Sequence, residues 1–296
     1  MAEQPTWRSL YPFESRWHRL DEGYRCHYLD EGDETRADAD RPTLLLVHGN
    51  PTWSFYWRHL VSAWRDRYRV VVPDHLGCGL SDKPVAYDYC LQSHIDNLLG
   101  LIDGLDLREI TLVAHDWGGT IGMGAAAAAP RRFRRFVLMN TAAFRSSRMP
   151  WRIRVCRTPW LGPIVVGRCN GFLRAALTMA TAKPERFTPE VRAGYLAPYA
   201  RAADRIAIRR FVEDIPRSPR HRSYAMLAAI EAALPSFRDH PVQLIWGMKD
   251  WCFTPHFLDR WIEFFPQAEV HRLADAGHWV AEDAHERIAE IVGNAV

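Results

Sequence analysis

Apolar residues recur along this chain in two rhythms. Short unbroken runs at Leu44 to Val47, Tyr68 to Val72, Ile110 to Ala114, Phe136 to Met139 and Val242 to Trp246 predict strands buried on both faces. Glu269 to Leu273 reads as one more strand. Between these runs the spacing turns helical: Ser54 to Trp64, Cys90 to Leu105, the Ala-rich stretch to Ala129, Pro255 to Phe265 and Ala281 to Val292. Residues 17–30 alternate around Asp21-Glu22-Gly23 and predict a β-hairpin, and the polar, acidic residues 31–42 predict a surface loop. Strand and helix in alternation imply an α/β fold, a mostly parallel eight-stranded sheet with helices on both faces.

One stretch breaks the alternation. Residues 143–235 are rich in Pro, poor in strand-like runs and divided into short helical segments. They read as a helical cap inserted into a core made of residues 1–142 and 236–296. Charge follows the same division. From Arg131 to Arg222 there are 20 Arg and 1 Lys against 3 Glu and 2 Asp, a net +16 in a chain whose total is +3. The plain explanation is a solvated Arg-rich surface over an acidic body; the sharper one is contact with an acidic partner protein or an anionic surface. No nucleic-acid motif accompanies the charge. No run is long enough to span a bilayer, and no signal-peptide pattern opens the chain. The six scattered cysteines contain no C-x-x-C pair and suit reduced thiols in the cytoplasm.

The chemistry concentrates after strands, where the loops of an open α/β sheet converge on a ligand. Val113-Ala114-His115-Asp116-Trp117-Gly118-Gly119 has the strand–turn–helix layout of a nucleophile elbow, with Asp at the apex where Ser is usual. A carboxylate is ionised at neutral pH and attacks without a base, leaving a covalent ester. Asp250, in Trp246 to Asp250, and His278, in Asp275 to Trp279, follow in the order nucleophile, acid, histidine of α/β-hydrolase triads. In this assignment His278 is the base and Asp250 holds its tautomer. Taken singly, Asp116 could be a helix cap, Asp250 likewise, and His278 a packed core residue. Their joint placement argues for a site. Asn50, in the loop His48-Gly49-Asn50-Pro51, and Trp117 can offer neutral N–H donors to an anion, or be a turn residue and a packing residue. His48 and His115 read as structural. No metal-ligand pattern occurs, and no cofactor is expected.

These motifs resemble the haloalkane dehalogenase-like branch of the α/β-hydrolases, from about residue 12 to the C-terminus. In that family, residues at the positions of Asn50 and Trp117 clasp the departing halide. The best-known branch carries its triad acid after the strand preceding the cap, where this chain has Asn140-Thr141-Ala142; the acid therefore falls to Asp250. That arrangement resembles both the third dehalogenase subfamily and the β-lactone decarboxylases of bacterial long-chain olefin biosynthesis. Residues 140–144, 195–199, 211–216, 234–237 and 250–253 are similar to the decarboxylases. The resemblance implies conversion of cis-3-alkyl-4-alkyloxetan-2-ones to cis-alkenes, and association with the β-lactone synthetase and reductase of the same pathway. Hydrolysis of haloalkanes is the alternative. Epoxide hydrolases share His-Asp-Trp-Gly-Gly but need two cap tyrosines, for which Tyr195, Tyr199 and Tyr224 are candidates. A receptor-like member that binds without turnover is disfavoured by the complete triad. Apolar cap residues, Trp151, Ile153, Val155, Trp160, Leu161, Ile164, Val165, Val166, Phe172, Leu173, Leu177 and Met179, could line a tunnel for a long apolar substrate, or pack the cap onto the core.

Overall fold

The eight strands form one sheet in the order β1-β2-β4-β3-β5-β6-β7-β8, shown by a computed structural model that describes residues 5–32 and 42–293. The strands are β1 (Arg16–Arg19), β2 (Arg25–Glu31), β3 (Thr43–Val47), β4 (Arg69–Pro73), β5 (Ile110–Asp116), β6 (Phe133–Thr141), β7 (Val242–Gly247) and β8 (Glu269–Leu273). β1 and β2 form the expected hairpin, and β2 pairs antiparallel with β4; every other pairing is parallel. Residues 33–41 of the expected surface loop lie outside the described residues.

The unbroken apolar runs have a direct cause. Side chains alternate across a strand, so a strand covered on both sides needs apolar residues at every position. Leu44, Leu46, Val113, Val137 and Ile245 enter one core layer with Trp64 of α1 (Arg58–Trp64) and Ile288 of α10 (Val280–Gly293). Leu45, Val47, Leu112, Leu138 and Leu244 enter the other, against α2 (Leu91–Gly104), α3 (Trp117–Ala128) and α9 (Pro255–Phe264). A 3-10 turn, Ser54–Trp57, supplies the first part of the helix expected over 54–64.

Two strands run further than their apolar cores. β5 continues through His115 to Asp116, and β6 reaches Asn140 and Thr141. Asp116 pairs with Thr141 after a one-residue shift in the ladder, so polar residues that read as loop extend the sheet. Between β6 and β7 the described chain contains no strand. It runs through α4 (Trp151–Cys156), a π-helical turn (Pro163–Arg168), α5 (Gly171–Met179), α6 (Pro189–Leu196), α7 (Ile206–Glu213) and α8 (Tyr224–Ala233). This helical cap lies over the ends of β5, β6 and β7.

Candidate active site

Asp116 ends β5 with φ 52° and ψ −126°, a backbone conformation costly for a residue with a Cβ. The close approach of neighbouring backbone holds it there. A Cβ on Gly118 would sit 2.1 Å from the Val47 carbonyl oxygen, and one on Gly49 2.2 Å from Asp116 Oδ1. Only glycine at both positions lets the elbow press against the loop after β3. Thr141 Oγ1 also donates to the Asp116 carbonyl at 2.5 Å. The carboxylate in turn accepts the Asn50 backbone N–H on Oδ1 at 2.7 Å, and the Trp117 backbone N–H is a second donor.

His278 faces the other oxygen. Its Nε2 stands 3.8 Å from Asp116 Oδ2, too far for a hydrogen bond, so that oxygen is not tied up by the ring. Its Nδ1 donates to Asp250 Oδ2 at 2.9 Å. Asp250 is itself held by the Cys252 N–H at 2.6 Å and by Asn140 Nδ2 at 2.9 Å. Asn140 is further fixed to Gly247, accepting its N–H at 2.8 Å. The position that lacks a carboxylate thus carries an amide that orients one.

Burial pushes the Asp116 carboxyl above its ordinary pKa, outweighing the opposing pull of His278 and the two backbone donors. For His278, burial disfavours the charged ring, yet the Asp250 charge, its hydrogen bond and the Asp116 charge prevail and raise the pKa. His48 and His115 shift the other way: no carboxylate outweighs burial there as Asp250 does at His278, and burial lowers both. His48 Nδ1 donates to the Gly49 carbonyl at 2.8 Å, and His115 Nε2 to the His278 carbonyl at 2.8 Å. Both brace loops.

Asn50, Asp116, Trp117 and His278 sit at the polar end of a cavity of about 260 Å³ whose walls are apolar, among them Phe144, Ile153, Val165, Phe172 and Leu227. Asp250 lies behind His278. The Asn50 side chain differs from the expectation of a donor reaching across the site: Nδ2 donates to the Ile208 carbonyl of α7 at 3.1 Å, and Oδ1 is buried without a partner. It therefore joins cap to floor, and it is the backbone N–H of Asn50 that reaches the carboxylate. The Trp117 ring packs on Phe211 at 5.3 Å between centroids and lines the cavity.

Residues 42–284 match the alpha/beta hydrolase fold family. The chain belongs to that family. A cis-3-alkyl-4-alkyloxetan-2-one decarboxylase of Shewanella oneidensis is 43% identical over 272 residues, 90% of this chain and 83% of its own length. Haloalkane dehalogenase 2 of Mycobacterium bovis is 36% identical over 287 residues, 96% of this chain and 95% of its own. The crystal structure of a haloalkane dehalogenase loop variant from Bradyrhizobium elkanii superposes with a TM-score of 0.84 at 26% identity, covering 95% of this chain and 96% of that one. This α/β-hydrolase is thus haloalkane dehalogenase-like in its cap as well as its core.

One residue that builds the site in this α/β-hydrolase carries no signal of its role in the sequence. Asn140 reads in the sequence only as an absent acid; in the structure it stands at the end of β6 with φ 36°, a strained corner that Asn tolerates, and its amide orients Asp250. The apolar cap residues divide between the two roles expected of them, lining a tunnel and packing the cap onto the core, with a remainder on the surface. Of the twelve apolar cap residues named, Ile153, Val165, Phe172 and Met179 line the cavity; Val166, Leu173 and Leu177 are buried in the core, Val155 is half-buried off the cavity, and Trp151, Trp160, Leu161 and Ile164 are exposed. The three tyrosines are elsewhere too. None of Tyr195, Tyr199 or Tyr224 lines the cavity; the Tyr195 hydroxyl donates to Glu282, and that of Tyr199 accepts the Gly79 N–H at 2.9 Å.

Proposed function

We infer that this enzyme is a β-lactone decarboxylase converting cis-3-alkyl-4-alkyloxetan-2-ones to cis-alkenes and CO2. The observation that carries the reading is a buried, backbone-pinned carboxylate at the end of a cavity whose walls are apolar. The relative of the stated name, at 43% identity, supports the same substrate class.

Asp116 acts as nucleophile. Its free oxygen bonds to the ring carbon that carries the lactone oxygen, and the strained ring C–O bond breaks to release a carboxylate. The carbon–carbon bond to that carboxylate then breaks; its electron pair forms the alkene while the bond to Asp116 breaks and returns the free carboxylate. No water, oxidant or reductant is consumed. Inversion in the first step followed by anti elimination in the second turns a cis lactone into a cis alkene. Trp117 steadies the developing anion, Asn50 holds the attacking carboxylate through its backbone N–H, and His278, oriented by Asp250, supplies compensating positive charge. The same reading includes a cytoplasmic location, which six free cysteines suit, and association with the synthetase and reductase that would supply the lactone.

A second reading, hydrolysis of 1-haloalkanes, rests on the His278–Asp250 pair, which is the relay needed to activate water against an alkyl ester of Asp116. One assay separates them. The protein is incubated with a cis-dialkyl β-lactone and, separately, with a 1-bromoalkane, and alkene, alcohol and bromide are measured. Alkene from the lactone supports the decarboxylase; bromide release without alkene formation overturns it.

A further inference from the structure

The cap carries an exposed surface that the triad does not use and that borders the cavity. Among the described residues, five of the seven large apolar side chains that are exposed lie between 151 and 179: Trp151 (66%), Trp160 (87%), Leu161 (43%), Ile164 (51%) and Met179 (39%). Arginines stand among them. Arg152, Arg154, Arg168 and Arg174 are all exposed, and none of the 68 residues between Asp116 and Glu185 is acidic. Arg152 lies over the Trp151 and Trp251 rings at 5.0 and 5.2 Å from their centroids. A surface of bare Trp, Leu and Ile is costly in water, and uncompensated arginines repel one another. Both features are relieved by the same occupant, a bilayer with anionic headgroups: guanidinium groups take the phosphates while the indole and aliphatic groups enter the boundary with the acyl chains.

The cavity opens on this face. Arg148, Arg152 and Met179 are exposed and also line the cavity, as does Trp251, whose indole N–H donates to the Met179 carbonyl at 2.7 Å. An apolar substrate dissolved in a membrane would meet the cavity mouth there without crossing water. We propose that residues 148–179 of the cap dock this enzyme on an anionic lipid bilayer, with Trp160 and Leu161 inserted and Arg154, Arg168 and Arg174 against the headgroups. No helix among the described residues is long and apolar enough to cross a membrane, so the contact is peripheral.

The test is co-sedimentation of the full chain with vesicles of phosphatidylcholine, alone or mixed with phosphatidylglycerol, at low and at high salt. Partition onto the mixed vesicles is expected to be at least about tenfold stronger and to weaken with salt. Two variants divide the surface: Trp160→Ser with Leu161→Ser, and Arg154→Glu with Arg168→Glu and Arg174→Glu. None of these residues lines the cavity. Each variant is expected to lose about tenfold or more in partition while turnover of a short, water-soluble substrate stays unchanged, which also reports a correct fold. The binding readout needs no substrate and so stands apart from the lactone reading. Absence of pelleting with anionic vesicles, or pelleting that neither variant weakens, overturns the proposal. So does self-association or capture of an acidic protein that the variants abolish while vesicle binding is nil.

Discussion

The floor and the roof of the cavity are held by different forces. Under the substrate, every functional group hangs from a parallel strand end, and backbone N–H groups and glycine contacts fix the carboxylate. Over it stand short helices, none longer than the ten residues of α8, which would not persist alone in water. A few polar clamps tie them down. Asp283 of α10 accepts the Ala182 N–H at 2.8 Å and the Thr181 hydroxyl, and Glu282 takes Arg58 and Tyr195. Asp214 of the cap accepts the Leu91 N–H at the start of α2 at 2.8 Å. On the proposed reading, the strand ends carry the reaction and the helices choose the substrate.

Substitutions at the floor should therefore change chemistry, and substitutions in the roof should change preference. Asp116→Asn is expected to lower turnover of lactone and bromoalkane alike by about four orders of magnitude or more. It should also raise stability by about 1–2 kcal/mol in urea unfolding at neutral pH. The sign follows from the raised pKa: the folded carboxyl holds its proton more readily than the unfolded one. Its penalty is full above the folded pKa and vanishes below the unfolded one. Equal stability of wild type and variant at neutral pH would remove that argument.

His278→Ala should split the two reactions. With bromoalkane, intact mass should reveal a stable alkyl adduct on Asp116. Alkene formation, which needs no activated water, should fall by only about tenfold to a hundredfold. Acid should separate them as well. Water activation needs a neutral His278, whose raised pKa carries the acid limb of bromide turnover above the ordinary imidazole range. Alkene formation should persist to lower pH, until Asp116 takes up its proton. Coincident limbs in the two pH–rate profiles would mean that His278 acts as a base in both.

Two smaller effects test the boundary between the regions. Asn140→Ala leaves Asp250 Oδ2 and the Gly247 N–H short of a partner, and should cost about 1–3 kcal/mol in thermal or urea unfolding. Bromide turnover should suffer more than alkene formation. Val165→Trp narrows the cavity from the cap side, and should raise KM for long substrates with little change in kcat for short ones, by about 1–3 kcal/mol in kcat/KM.

The floor was legible in the sequence because its physics is local. A strand buried on two faces writes an unbroken apolar run, and the residue after it is where an open sheet places its ligand, so Asp116, Asp250 and His278 could be located by counting. The ends of β5 and β6 escaped because His115, Asn140 and Thr141 are polar residues whose partners are more than 20 positions away in the chain. The roof escaped for another reason. Helices of six to ten residues, separated by 3-10 and π-helical turns, reset the phase of the hydrophobic pattern too often to show which face meets the cavity. Val165 and Val166 are adjacent; one touches the cavity and the other the core. Their identities alone do not divide them.

The loop that bears His278 is sewn to the end of α5. The Trp279 N–H donates to the Ala180 carbonyl at 2.8 Å, and the Gly277 N–H shares Asp283 with Ala182 and Thr181. The histidine stands between those two stitches. A cap that lifted at Ala180 would pull on the backbone that aims the imidazole, so the position of the roof and the aim of the ring are linked. A substrate on the proposed reading is then expected to thread the mouth beneath a closed cap, a needle's eye more than a jaw.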